Sequence, residues 1–132
     1  MTLITLPGGA RMARPPCLAL LLLAAGAGLW TALPGRAAQP RVELKAREFL
    51  YEPKAVTTSP GTVVFVVRNE GAIEHNFVLE DAGGKKVVEI AVIEPGATAE
   101  VTATLSPGPY TILCTLPGHR QAGMVAALKV PP

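Results

Sequence analysis

Two histidines occur in the 132-residue chain, His75 and His119. Beyond residue 17 there is a single cysteine, Cys114, and a single methionine, Met124. Three of these four scarce donors share one segment, Cys114-Thr115-Leu116-Pro117-Gly118-His119-Arg120-Gln121-Ala122-Gly123-Met124, spaced five and five, and His75 precedes the cysteine by 39 positions. Two imidazoles and a thiolate, with a thioether weakly along the axis, are the donors that suit a redox-active copper ion. Thiolate and imidazole tolerate both Cu(I) and Cu(II), so a fold that holds them in a compromise geometry allows electron transfer with little rearrangement. A hard, oxygen-seeking ion is disfavoured, because no carboxylate cluster accompanies the set. Zinc is the competing metal for a Cys-His-His site with a fourth position. The thioether discriminates, since methionine is a poor zinc ligand and a usual copper one.

Taken singly, each residue has an ordinary explanation. Cys114 could be a small buried hydrophobe, His119 a solvated loop side chain and Met124 core filler. Their joint placement favours one mononuclear metal site. A binuclear oxidase-type centre needs a second cysteine on the loop, and none is there. A copper enzyme needs a further ion with its own histidines, and both are already used, so the chain is not expected to be an enzyme.

Such donors must be carried by elements that bring distant segments to one pole. From residue 39 onward the sequence alternates short β-prone runs with turn signals. Val42–Arg47 alternates apolar and charged residues, as a half-buried strand should. Thr62–Val67 is apolar on both faces and suits a central strand. Asn76–Leu79, Val87–Val92, Thr98–Leu105, Tyr110–Cys114 and Val125–Val130 follow, separated by Asn69-Glu70-Gly71, Asp81-Ala82-Gly83-Gly84, Glu94-Pro95-Gly96 and Ser106-Pro107-Gly108-Pro109. The spacing predicts an all-β Greek-key β-sandwich of about seven to eight strands. Cys114, His119 and Met124 fall on one loop between the last two strands, and His75 begins a strand elsewhere.

Residues 1–38 have a different character. They hold Arg11, Arg14 and Arg36 and no acid, with an uncharged run between Arg14 and Arg36 and small residues at a candidate cut site around Ala37. This pattern describes a signal peptide or, if uncleaved, an N-terminal membrane anchor. Either exports residues 39–132, as one domain, to a periplasm or the extracytoplasmic face of a bacterial membrane. Membrane contact follows only if the segment is retained. With Cys17 in the leader, the exported domain has one thiol and no internal disulfide. The formal net charge of +2 depends on the leader, because residues 39–132 carry 9 basic against 10 acidic side chains. A near-neutral body without a basic cluster argues against nucleic acid as a partner.

The run Gly108-Pro109-Tyr110 through Cys114, then Pro117-Gly118-His119 and Gly123-Met124, together with His75-Asn76, resembles the cupredoxins, the type 1 blue copper proteins that include plastocyanin, azurin and auracyanin. Phe49-Leu50-Tyr51-Glu52-Pro53, Gly61 and Asn69 are similar to the family as well. The resemblance covers about residues 41–131, and the five-and-five spacing is more like azurin and auracyanin than plastocyanin. Ile112 and Ala126 depart from the usual aromatic and glycine at their positions.

The resemblance implies copper held by His75, Cys114, His119 and Met124. It implies that the Asn76 amide bonds the Cys114 sulfur while its side chain ties the ligand loops together, and that Leu116 offers a second N–H to sulfur. It implies His119 near the surface within an apolar docking patch of Ile73, Leu116, Pro117 and Gly118, used transiently by redox proteins on a monomer. Electron transfer is the function so implied. Copper sequestration or delivery with the same site is the alternative.

Overall fold

The computed structural model describes residues 38–132. The signal or anchor segment expected over residues 1–38 lies outside them apart from residue 38 itself. The described residues form nine strands: β1 (Arg41–Arg47), β2 (Leu50–Glu52), β3 (Ala55–Thr57), β4 (Gly61–Asn69), β5 (His75–Glu80), β6 (Lys86–Ile93), β7 (Thr98–Leu105), β8 (Gly108–Leu113) and β9 (Val125–Val130). They make two sheets, ordered β2-β1-β4-β7 and β3-β9-β8-β5-β6. The all-β sandwich expected from the turn rhythm is what forms. The two short strands β2 and β3 raise the count to nine. At three residues each they are too brief to show an alternation.

The alternation in β1 buries Val42, Leu44 and Ala46 and leaves its charged residues outside. β4 buries Val63, Phe65 and Val67 on its inner face and leaves Val64 and Val66 half-buried on the outer one. It lies between β1, with which it runs parallel, and β7. The inner faces interdigitate as sandwiched sheets must. Phe65 of one sheet and Phe77 of the other meet with ring centroids 5.3 Å apart. Around them Leu44, Tyr51, Leu79, Ile112 and Leu128 complete the core.

The register of the second sheet positions the chemistry. β5 and β8 are antiparallel, with Val78 opposite Leu113. Continuing that ladder by two and three residues sets Asn76 opposite Thr115 and His75 opposite Leu116, within two residues of Cys114. β8 and β9 are also antiparallel, with Leu113 opposite Val125. The segment from Cys114 to Met124 is therefore the closing loop of that pair, at the same end of the sheet as His75.

Candidate metal centre

Three clasps shape the loop. Its base is shut by the Cys114 N–H donating to the Met124 carbonyl at 3.2 Å. Inside it, the His119 N–H donates to the Leu116 carbonyl at 3.1 Å, and the Met124 N–H donates back to the His119 carbonyl at 3.0 Å. Gly118 and Gly123 sit at φ of +83° and +103°, a region that a side chain with a Cβ rarely enters. Those two glycines let eleven residues fold back tightly enough to aim three donors inward.

The second approach is held by Asn69, which is fully buried. Its side-chain N–H groups donate to the carbonyls of Ile73 and Ile93, both at 2.8 Å, and its oxygen accepts from the Gly71 N–H at 2.9 Å. This pins the turn that delivers His75. Asn76 then fastens one ligand segment to the other. It donates to the Thr115 hydroxyl at 2.7 Å and accepts from the Thr115 N–H at 2.8 Å. The Tyr51 hydroxyl donates to the Asn76 carbonyl from the opposite sheet. Burial, then the neighbouring Cys114, pushes the Tyr51 phenol well above its ordinary range, so it stays a protonated donor.

The outcome is a convergence. His75 Nδ1 and His119 Nδ1 lie 3.3 Å apart, and Cys114 Sγ lies 3.3 Å from His119 Nδ1. All three donor atoms fall within 4.8 Å of one another. His75, Cys114 and Met124 are fully buried, and His119 retains 9% exposure. Burial, then the proximity of His119, lowers the His75 pKa, which favours the neutral imidazole a metal needs. His75 Nε2 is buried with no hydrogen-bond partner, as fits a ring whose other nitrogen is turned toward an ion. A cysteine and two imidazoles at this separation, with a buried methionine closing the loop, fit copper.

All four donors named from spacing come to this pole, and so does Asn76, whose side chain makes the loop-to-loop tie. The residues expected to form a rim differ in exposure. Pro117 and Gly118 are exposed, Leu116 is half-buried against the core, and Ile73 is 40% exposed. Phe49 was not among the expected site residues. Its ring meets the His119 ring edge-on at 4.9 Å and is 39% exposed. A lone aromatic in the turn after β1 carries no spacing that would reveal this, although it opens the Phe49–Pro53 run. Glu48, next to it, also reaches the site, with its carboxylate 3.9 Å from His75 Nε2.

The description of copper binding proteins of the plastocyanin/azurin family matches residues 38–131. The chain belongs to that family, the cupredoxins, and copper is its cofactor. It is 36% identical over 123 residues to a plastocyanin of Prochlorothrix hollandica, covering 87% of this chain and 90% of the relative. It is 28% identical over 147 residues to the copper-resistant cuproprotein CopI of Pseudomonas aeruginosa, covering 75% of this chain and 81% of that one. Among solved structures, the reduced auracyanin of Roseiflexus castenholzii superposes with a TM-score of 0.66 at 24% identity, over 72% of this chain and 99% of that one, a likeness of fold. Members of this family carry electrons and are not enzymes.

Proposed function

We propose that this protein is a one-electron carrier that docks transiently on exported or membrane-bound redox proteins. The observation behind the reading is the convergence of His75 Nδ1, Cys114 Sγ and His119 Nδ1 inside a largely buried pocket. Copper held there would supply a Cu(II)/Cu(I) couple. The chain's own contribution is rigidity. Asn69, Asn76 and the loop clasps fix the donors from both sheets, so the ligands need not move when charge changes. Met124, fully buried at the end of the loop, would be the weak fourth donor and would tune the potential. N–H groups of Asn76 and Leu116, which the family resemblance implies as donors to the Cys114 sulfur, would raise it further.

His119 is the exit for the electron. It alone of the four ligands keeps an exposed edge, Phe49 packs against its ring, and Ile73, Leu116, Pro117 and Gly118 would complete an apolar or small surface about it. Such a rim suits close, brief contact with a partner, since transient redox interfaces are small. The charge pattern of residues 1–38 supports export to the periplasm or the outer face of a bacterial inner membrane.

Copper sequestration or delivery is the second reading, favoured by the likeness to the copper-resistant cuproprotein. Stopped-flow mixing separates the two. A carrier reduced with one equivalent of electrons passes the electron to an oxidised cupredoxin or cytochrome and keeps its metal. A delivery protein passes the ion to an apo acceptor at stoichiometric mixing. Copper-loaded protein should show the intense visible band of a copper–thiolate bond, and Cys114→Ser should lack it. A colourless Cu(II) form of the unaltered chain would overturn both readings.

A further inference from the structure

Glu48 stands in the turn between β1 and β2, far in sequence from every ligand, yet its carboxylate meets the ligand His75 from behind. Its Oε1 accepts the N–H of Ala72 at 2.6 Å and of Ile73 at 3.1 Å. The same oxygen lies 3.9 Å from His75 Nε2. That nitrogen is buried and has no hydrogen-bond partner. A histidine that ligates through Nδ1 must carry its proton on Nε2, and ligating histidines commonly aim that N–H at a carboxylate or carbonyl. Glu48 Oε1, at 3.9 Å, is beyond direct hydrogen-bond length, and is the carboxylate oxygen the structure sets toward that nitrogen.

Two further observations make the placement specific. First, Gly71 is what lets the carboxylate in. A Cβ at that position would lie 2.9 Å from the Glu48 Cδ and Oε2 and closer still to Oε1. Second, the charge is uncompensated. Arg47, its neighbour, pairs with Glu70 and Glu52, and Lys45 and Arg68 pair with Glu70. Among the described residues no lysine or arginine pairs with Glu48. It accepts the Ala72 and Ile73 N–H groups as a carboxylate, an anion at neutral pH. An anion aimed at one ligand's N–H favours the oxidation state of the ion with the greater positive charge.

We propose that Glu48 is a positioning residue for the copper centre: it orients His75 through Nε2 and lowers the reduction potential by stabilising the oxidised site. The proposal rests on the copper reading of His75, Cys114 and His119. Because Oε1 also holds the Ala72 and Ile73 amides, the carboxylate joins the buried ligand to the exposed rim at Ile73.

The test is spectroelectrochemical titration of the copper-loaded full chain. Glu48→Gln keeps an oxygen for the two amides and removes only the charge. Its midpoint potential should rise by about the shift that makes a tenfold change in the Cu(I):Cu(II) ratio, ~59 mV for a one-electron couple. Gly71→Ala should raise the potential in the same direction by displacing an intact Glu48. The double variant should shift no further than Glu48→Gln alone, because both changes remove one interaction. A Glu48→Gln potential equal to that of the unaltered chain overturns the proposal and leaves the carboxylate a loop clamp only. Additive shifts in the double variant also overturn it, because they place the Gly71 effect in loop strain. Should Glu48→Gln take up no copper, Gly71→Ala decides alone: a raised potential supports the proposal and an unchanged one ends it. If the unaltered chain has no copper–thiolate band, it is the copper reading that fails, and that outcome is separate from any of these.

Discussion

Replacing Asn69 with alanine deletes three hydrogen bonds at the turn that presents His75, and the structure sets the size of the loss. The bond to the Ile93 carbonyl is buried, and those to Ile73 and from Gly71 are partly so. A buried group left without its partner costs ~1–3 kcal/mol, and a partly solvated bond contributes ~0.5–1.5 kcal/mol. The expected destabilisation of the metal-free protein is therefore about 4 kcal/mol, within a range of ~2–6. Against a total stability of ~5–15 kcal/mol for a domain, that is a large fraction. With a urea slope of about 2 kcal/mol/M, the unfolding midpoint should fall by ~2 M. Asn69→Asp keeps the acceptor for Gly71 but turns oxygen lone pairs toward two carbonyls, so it should be at least as damaging. Equilibrium urea unfolding of the apo form, followed by circular dichroism, measures both. A loss below ~1 kcal/mol in Asn69→Ala would refute the view that this side chain pins the His75 turn, because water would then have replaced all three bonds at no cost.

Three other outcomes follow from the same geometry. Met124→Leu should keep the copper–thiolate band and raise the reduction potential, since losing a thioether donor disfavours the oxidised ion; spectroelectrochemistry checks both, and loss of the band would mean the methionine is a principal ligand. Phe77→Ala removes one of the two rings that join the sheets, and should cost ~3–5 kcal/mol of apo stability by urea unfolding. Arg47, then Lys45, holds the Glu70 carboxyl below its ordinary value of 4.5. That depressed value makes the cluster stabilising above the unfolded-state pKa, with the contribution lost as pH falls through the folded-state value. Glu70→Gln should accordingly lower stability at neutral pH, where that contribution is present, and leave the acid extreme little changed, so that the stability–pH curve falls less steeply through the carboxylate range.

The contrast between donors and supports explains what was visible beforehand. His75, Cys114, His119 and Met124 stood out because their types are rare in this chain and three of them recur at fixed spacing on one segment. The alternation of β1 and the two-sided apolar run of β4 mark strands by residue type and period alone. Asn69, by contrast, read as one letter of a turn, Asn69-Glu70-Gly71, and as a point of family resemblance without a role, and proved to be the fully buried clamp of the site. Glu48 and Phe49 sit in a surface turn with no periodic or compositional mark. Their contacts with His75 and His119 arise from how β1 and β2 pack over the pole of the other sheet.

Sequence alone determined the donor set, the metal it suits and the class of fold, because each depends on residue type and local period. Chain folding decided which nitrogen of each imidazole turns inward, which histidine keeps an edge toward solvent, and which carboxylate stands behind a ligand. Those are products of antiparallel register and sheet-on-sheet packing. They join residues as far apart as Glu48 and His75, or Phe49 and His119, whose relation no spacing along the chain encodes.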